Sequence, residues 1–201
     1  MERMATLVAD TYFADLGKAD PATLCRGDRC RYDGDSSSYF LVLWGDEYRI
    51  DWMRGIIEKS GGRKDLPHEY FYLFIVFYLL LPKDLTPRGE WISEKDLPGG
   101  TTFFRGPHLL PTKLISERFA DDLQGFCQRC QNLGGTRENL GDAGFSFKIS
   151  NDIRIALVYW TGDEDFPAEA KILYDKSIAD ALPLDIVFAL AVEVCTRTSC
   201  L

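Results

Sequence analysis

Hydrophobic positions recur along this chain with two periods, near four and near two, and the places where the period changes mark out the elements. Val8, Tyr12 and Leu16 stand at i, i+4 and i+8, so residues 6–16 read as an amphipathic helix that Gly17 ends. Asp20-Pro21 supplies an N-cap and a proline at N1 for a short second helix through Leu24. Residues 26–38, rich in Asp and Ser, read as loop. Residues 39–44 form an apolar strand, Gly45-Asp46 suits a type II′ turn, and residues 47–51 return as its hairpin partner. Beyond Trp52 the pattern weakens, and Ser60-Gly-Gly reads as loop.

Residues 70–81 are twelve apolar or aromatic positions in a row, opened by Pro67 and closed by Pro82. A bilayer span needs roughly 18 or more, so this run predicts a buried core helix. Residues 83–106 are broken by Pro and Gly; they hold two short predicted strands, 90–93 and 101–104, with a single helical turn from Ser93 to Asp96. Ile115, Phe119, Leu123, Phe126, Cys130 and Leu133 recur at steps of 4, 4, 3, 4 and 3, which predicts one long helix over 111–133 capped by Gly134-Gly135. Residues 145–149 and 153–160 read as a hairpin over Ser150-Asn-Asp, residues 170–174 as a third strand, and Pro183 opens a final helix. Strands arrive as adjacent hairpins rather than alternating with helices. That predicts an α+β fold, a mixed but mainly antiparallel sheet packed by several helices. No Pro/Ser-rich linker separates two cores, so the expectation is one domain over 1–201 with a helical lead-in over 1–38.

Composition narrows the function classes. Of 201 residues 46% are hydrophobic, with 13 Phe, 9 Tyr and 4 Trp, enough for a sizeable core. The net charge of -8 and a pI near 4.8 disfavour duplex nucleic acid and anionic membranes as partners. The first residues lack the apolar core of a secretion signal. The chain therefore reads as cytoplasmic, with its six cysteines expected as reduced thiols. The sequence leaves the oligomeric state open.

Candidate chemistry concentrates at residues 153–175, where an apolar strand, the acidic triplet Asp163-Glu-Asp165 and a second apolar strand meet. Alternation along an extended chain would point Asp163 and Asp165 one way and Glu164 the other. One reading is a ligand site with Asp163 and Asp165 as polar contacts, Tyr159 and Trp160 as walls and Arg105 as counter-charge. A second is a divalent-metal-dependent enzyme in which the Asp163 and Asp165 carboxylates hold an ion that activates water. A third is a solvated turn within a structural interaction module, its Asp side chains capping backbone N–H groups. The cysteine pairs 25/30, 127/130 and 195/200 raise zinc or an iron–sulfur cluster, but Cys127-x-x-Cys130 falls inside a helix without a knuckle turn, and Cys130 belongs to an apolar stripe. His68 and His108 each adjoin a proline at a predicted helix start and read as caps. Nucleotide-binding glycine loops and hydrolase or zincin signatures are absent from the sequence. A small-molecule or protein partner fits these readings; the cofactor is unknown.

Leu157-Val-Tyr-Trp-Thr-Gly-Asp-Glu-Asp-Phe-Pro-Ala168, with Ile172-Leu-Tyr-Asp175 and Leu182-Pro183, resembles the C-terminal hallmark of the DUF3786 family. Leu79-Leu-Leu, Gly89-Glu-Trp-Ile-Ser93, Leu97-Pro-Gly-Gly100 and Leu133-Gly-Gly135 stand in the family's order, so the resemblance runs from about Tyr39 onward. It implies a source among anaerobic bacteria and archaea and an association with one-carbon, corrinoid or redox metabolism. Some members carry an N-terminal iron–sulfur domain, and no four-cysteine cluster precedes residue 25 here. The resemblance carries over no catalytic residues.

Overall fold

The computed structural model describes residues 7–200, and these divide into two compact units, with the boundary between Asp84 and Leu85. Thr6, the first residue of the helix predicted from the sequence, lies outside the described residues. Two antiparallel sheets, of four and five strands, are packed by helices, so the α+β class read from the hairpin pattern is the class found. No helix among the described residues is long and apolar enough to cross a membrane.

In the first unit α1 (Asp10–Lys18) buries Phe13 and Leu16, and α2 (Pro21–Leu24) starts at Asp20, whose carboxylate accepts from the N–H groups of Ala22 and Thr23. The sheet is a meander of β1 (Arg31–Asp33), β2 (Ser38–Leu43), β3 (Asp46–Asp51) and β4 (Ile56–Gly61). Alternation puts Tyr39, Leu41 and Leu43 on one face, opposite Tyr48 and Ile50 of β3, and all five are buried. The hairpin turn is Trp44-Gly45 and not Gly45-Asp46: Leu43 pairs with Asp46, and both turn residues have positive φ, 48° and 78°. That is the type I′ geometry, whose twist matches its strands. β1 and β4 were invisible in the pattern because their alternation is broken by Asp, Lys and Ser. α3 (Glu69–Leu80) is the predicted buried helix; His68 caps it, its Nδ1 accepting from the Tyr70 N–H.

A further sequence expectation fails in this unit. Cys25 and Cys30 are joined in a disulfide rather than standing as thiols. A 3-10 turn over Arg26–Asp28, with Gly27 and Asp28 both at φ 58°, folds the chain back so that the two Cα atoms lie 4.6 Å apart. The same loop aims two guanidinium groups at the C-terminal end of α3. Arg26 and Arg29 donate to the Leu81 carbonyl at 2.7 and 2.8 Å, and Arg29 also pairs with Asp84. Cations there satisfy carbonyls that the ending helix leaves over.

The second unit is built on the sheet β5 (Trp91–Ile92), β9 (Glu169–Asp175), β8 (Arg154–Trp160), β7 (Ala143–Lys148), β6 (Thr136–Glu138), in that spatial order. Residues 101–104 are not a strand: Gly100–Phe103 form the helical turn α4. The predicted long helix is two, α5 (Lys113–Phe119) and α6 (Leu123–Asn132). Ala120 takes φ 45° and ψ -105°, and the Asp122 carboxylate caps the new helix by accepting from the Gly125 N–H at 2.8 Å. The apolar period survives the break because Phe119 and Phe126 still converge on one ring, that of Tyr159, at 6.4 and 4.5 Å between centroids. α7 (Leu184–Ser199) is buried around most of its circumference and carries a buried ion pair, Glu193 with Arg197 one turn on.

Candidate functional site

The acidic stretch joins β8 to β9 as a folded turn. One Asp163 oxygen accepts from the N–H groups of Asp165 at 2.9 Å and Phe166 at 2.8 Å, while the Asp163 N–H donates to the Phe166 carbonyl at 2.8 Å. This is an Asx-type turn, in which the side chain stands in for backbone. Strand alternation therefore does not govern the triplet. Asp163 is engaged within the turn, and Glu164 and Asp165 are exposed. Asp142 ties down the start of the turn: the N–H and hydroxyl of Thr161 both donate to it at 2.9 Å and hold its carboxyl below the usual range.

Tyr159 and Trp160 point to opposite faces of the sheet, as strand neighbours must. Tyr159 is fully buried and donates its hydroxyl to the Ala120 carbonyl at 2.7 Å; burial pushes its phenol up. Trp160 is partly exposed, and Phe166 at the turn's end is 71% exposed. Arg105 is exposed just before the 3-10 turn Gly106–His108, and no hydrogen bond or ion pair joins it to Asp163 or Asp165. Among the described residues no group of three His, Cys, Asp or Glu side chains is placed to hold a metal ion. Of the four cysteines outside the disulfide, Cys130 and Cys195 are buried; burial pushes the Cys130 thiol up, and that of Cys195 up to about 12.

An open cavity of about 180 Å³ lies against the first half of β9, within the second unit. It begins where the acidic turn ends: Trp160 pairs with Glu169 and Tyr159 with Ala170 across β8 and β9. Phe104, Ala170 and Ile172, all buried, give it an apolar lining, continued by Leu109 and Leu110. Glu94, Lys95, Thr112, Glu169 and Lys171 add the polar part. None of the four charged side chains makes a hydrogen bond or ion pair with any described residue, as is true of other exposed charges in this unit, and the Ser93 hydroxyl and N–H, with Lys171, hold the Asp96 carboxyl below the usual range. Two cations and two anions beside an apolar surface can take up a small solute with a hydrocarbon body and polar ends.

Sequence reasoning reached the β8–turn–β9 stretch and missed the opposite wall. Leu109-Leu110-Pro111, an apolar pair stranded between two helix starts, was the available signal. Arg105 adjoins the lining residue Phe104 in sequence, while Tyr159 and Trp160 adjoin the cavity only through their cross-strand partners.

Compared with known families, residues 20–197 match the family model DUF3786, a domain of unknown function. No curated protein and no solved structure matches the chain.

Proposed function

The chain belongs to the DUF3786 family, and on that premise we propose a ligand-binding accessory protein whose site is the cavity along β9. The observation that supports this reading is the open cavity itself, whose mainly polar lining, with Glu94, Lys95, Thr112, Glu169 and Lys171, surrounds a smaller apolar floor that includes Phe104 and Ile172. Concave sites that combine a small apolar surface with a few charged groups are where small ligands bind. Asp165, Trp160 and Arg105 would act as outer contacts, while Asp163 shapes the turn that delivers β9 to the site. A metal-dependent reaction at the turn has less support, since Asp163 already accepts two backbone N–H groups. In the anaerobic metabolism that the family resemblance implies, such a protein would carry or sense a ligand and leave chemistry to others.

The test is an NMR titration of the ¹⁵N-labelled protein with N-acetyl-leucinamide, isobutyrate and isobutylamine. Saturable shifts at Thr112, Ala170 and Lys171 are expected for at least one of them. If none moves a lining resonance at millimolar concentration, the reading fails.

A further inference from the structure

The loop between Cys25 and Cys30 is held by contacts that do not pass through its sulfurs. On one side Cys25 ends α2, its N–H donating to the Pro21 carbonyl at 2.9 Å, next to the buried Leu24. On the other side Cys30 leads straight into β1, where Arg31 pairs with Phe40 of β2. Between them Arg26 donates to the Thr23 and Leu81 carbonyls at 2.9 and 2.7 Å, and the buried Arg29 guanidinium lies over the Tyr78 ring, 5.2 Å from its centroid. These clamps keep the two cysteines at the mouth of one turn whether or not the bond between them is made. Two thiols held so have a high effective concentration for each other, because most of the loop-closure entropy is already lost. Other features favour opening. The turn carries Gly27 and Asp28 in succession at φ 58°, the second with a Cβ that disfavours that region. Both cysteines are only half-buried and the turn between them is exposed, so an external thiol can reach them. Exposed disulfides in strained segments are the labile ones.

We propose that Cys25 and Cys30 form a thiol–disulfide exchange site, a reversible two-electron couple whose substrates are external thiols. The thiolate of one external thiol attacks a sulfur of the pair. A mixed disulfide forms, and the other cysteine leaves as a thiolate and takes up a proton. A second external thiolate attacks the external sulfur of the mixed disulfide and releases the first cysteine, which is protonated in turn. The two external thiols depart joined as a disulfide, so they are oxidised by two electrons and the protein pair is reduced by two. The same steps run backwards return the electrons to an external disulfide. Cys130 and Cys195 are unsuited to this exchange, since both are buried. The site shares no residue with the cavity along β9 and does not depend on a ligand binding there.

The test equilibrates the folded protein in glutathione buffers that run from mostly oxidised to mostly reduced. Samples are quenched in acid and alkylated, the Cys25 and Cys30 peptides are quantified by mass spectrometry, and ¹⁵N amide spectra follow the fold. The pair is expected to open and reclose within this range, to reach the same ratio from either direction, and to keep a native spectrum throughout. A pair that stays closed in excess reduced glutathione, that opens only as the native spectrum is lost, or that fails to reclose overturns the proposal. Arg26→Ala removes one clamp and leaves both sulfurs in place. It should move the equilibrium toward the thiols by about ten-fold, the worth of a hydrogen bond from a charged donor. An equilibrium that Arg26→Ala leaves unmoved would show that the clamps do not hold the thiols together, and would overturn the proposal as well.

Discussion

The Tyr159 hydroxyl reaches the Ala120 carbonyl at 2.7 Å and so anchors strand β8 to the residue at which α5 gives way to α6. Ala120 holds φ 45° and ψ -105°, a region that only glycine enters without strain. Two substitutions should therefore move stability in opposite directions. Tyr159→Phe removes the donor and should cost about 1 kcal/mol. Ala120→Gly relieves the backbone and should gain about 1 kcal/mol. Urea unfolding curves of the two variants decide this; a destabilised Ala120→Gly would contradict the account.

Asp175 is an acid-sensitive clasp. It is buried, and it accepts from the N–H groups of Arg88, Gly89 and Ser177 at 3.0, 2.8 and 2.9 Å and from the Ser177 hydroxyl at 2.7 Å. Burial alone would push its carboxyl up, but the Ser177 hydroxyl and the three N–H groups together hold it below the usual range. A depressed carboxyl contributes stability above its unfolded value of about 3.9 and loses that contribution as pH falls through the folded value. Asp175→Ala should cost about 3 kcal/mol at neutral pH, and its deficit relative to the parent should shrink on going to pH 3. An equal deficit at both pH values would show that the ionised form is not what holds the segment.

The disulfide closes a small ring. By chain entropy a ring of this size is worth about 2 kcal/mol. Parent protein in dithiothreitol should unfold at the same urea concentration as the Cys25→Ser/Cys30→Ser double variant, and the variant should ignore the reductant. Arg26 and Arg29 grip the end of α3 without the sulfurs, so the reduced protein should still fold. A loss of the native transition on reduction would contradict this.

Glu193 and Arg197 form a buried pair, 0% and 3% exposed at the side chain. Breaking such a pair from one side strands a charge and costs about 3–5 kcal/mol. Arg197→Met should fall in that range, while Glu193→Leu/Arg197→Met should recover much of the loss. A double-mutant cycle in guanidinium measures the coupling; additive losses would mean that the two side chains act independently.

The sequence shows most where a local rule is sufficient. The all-apolar run of α3, the β7–β8 hairpin and the capped turn at Ser93 follow from period, turn residues and capping chemistry, and each is present. Its silence falls where tertiary context decides. Ala120 carries no local mark of a helix break; what holds it there is Tyr159, 39 residues away. Trp44 takes φ 48°, which no propensity assigns to tryptophan. The site divides in the same way. The β8–turn–β9 stretch stands out by its charge beside apolar residues, whereas the cavity needs Phe104, Leu109, Leu110 and Thr112 brought beside β9 from about 60 residues away, a fact of tertiary packing and not of composition.

Gly100 has a further consequence for that cavity. A methyl group placed on it would come within 1.8 Å of the Glu94 carbonyl oxygen, so α4 and the turn that bears Glu94 are in contact without clearance. Any side chain at position 100 would therefore force α4 and that turn apart and, with them, displace Phe104 and Glu94, two of the residues that line the cavity.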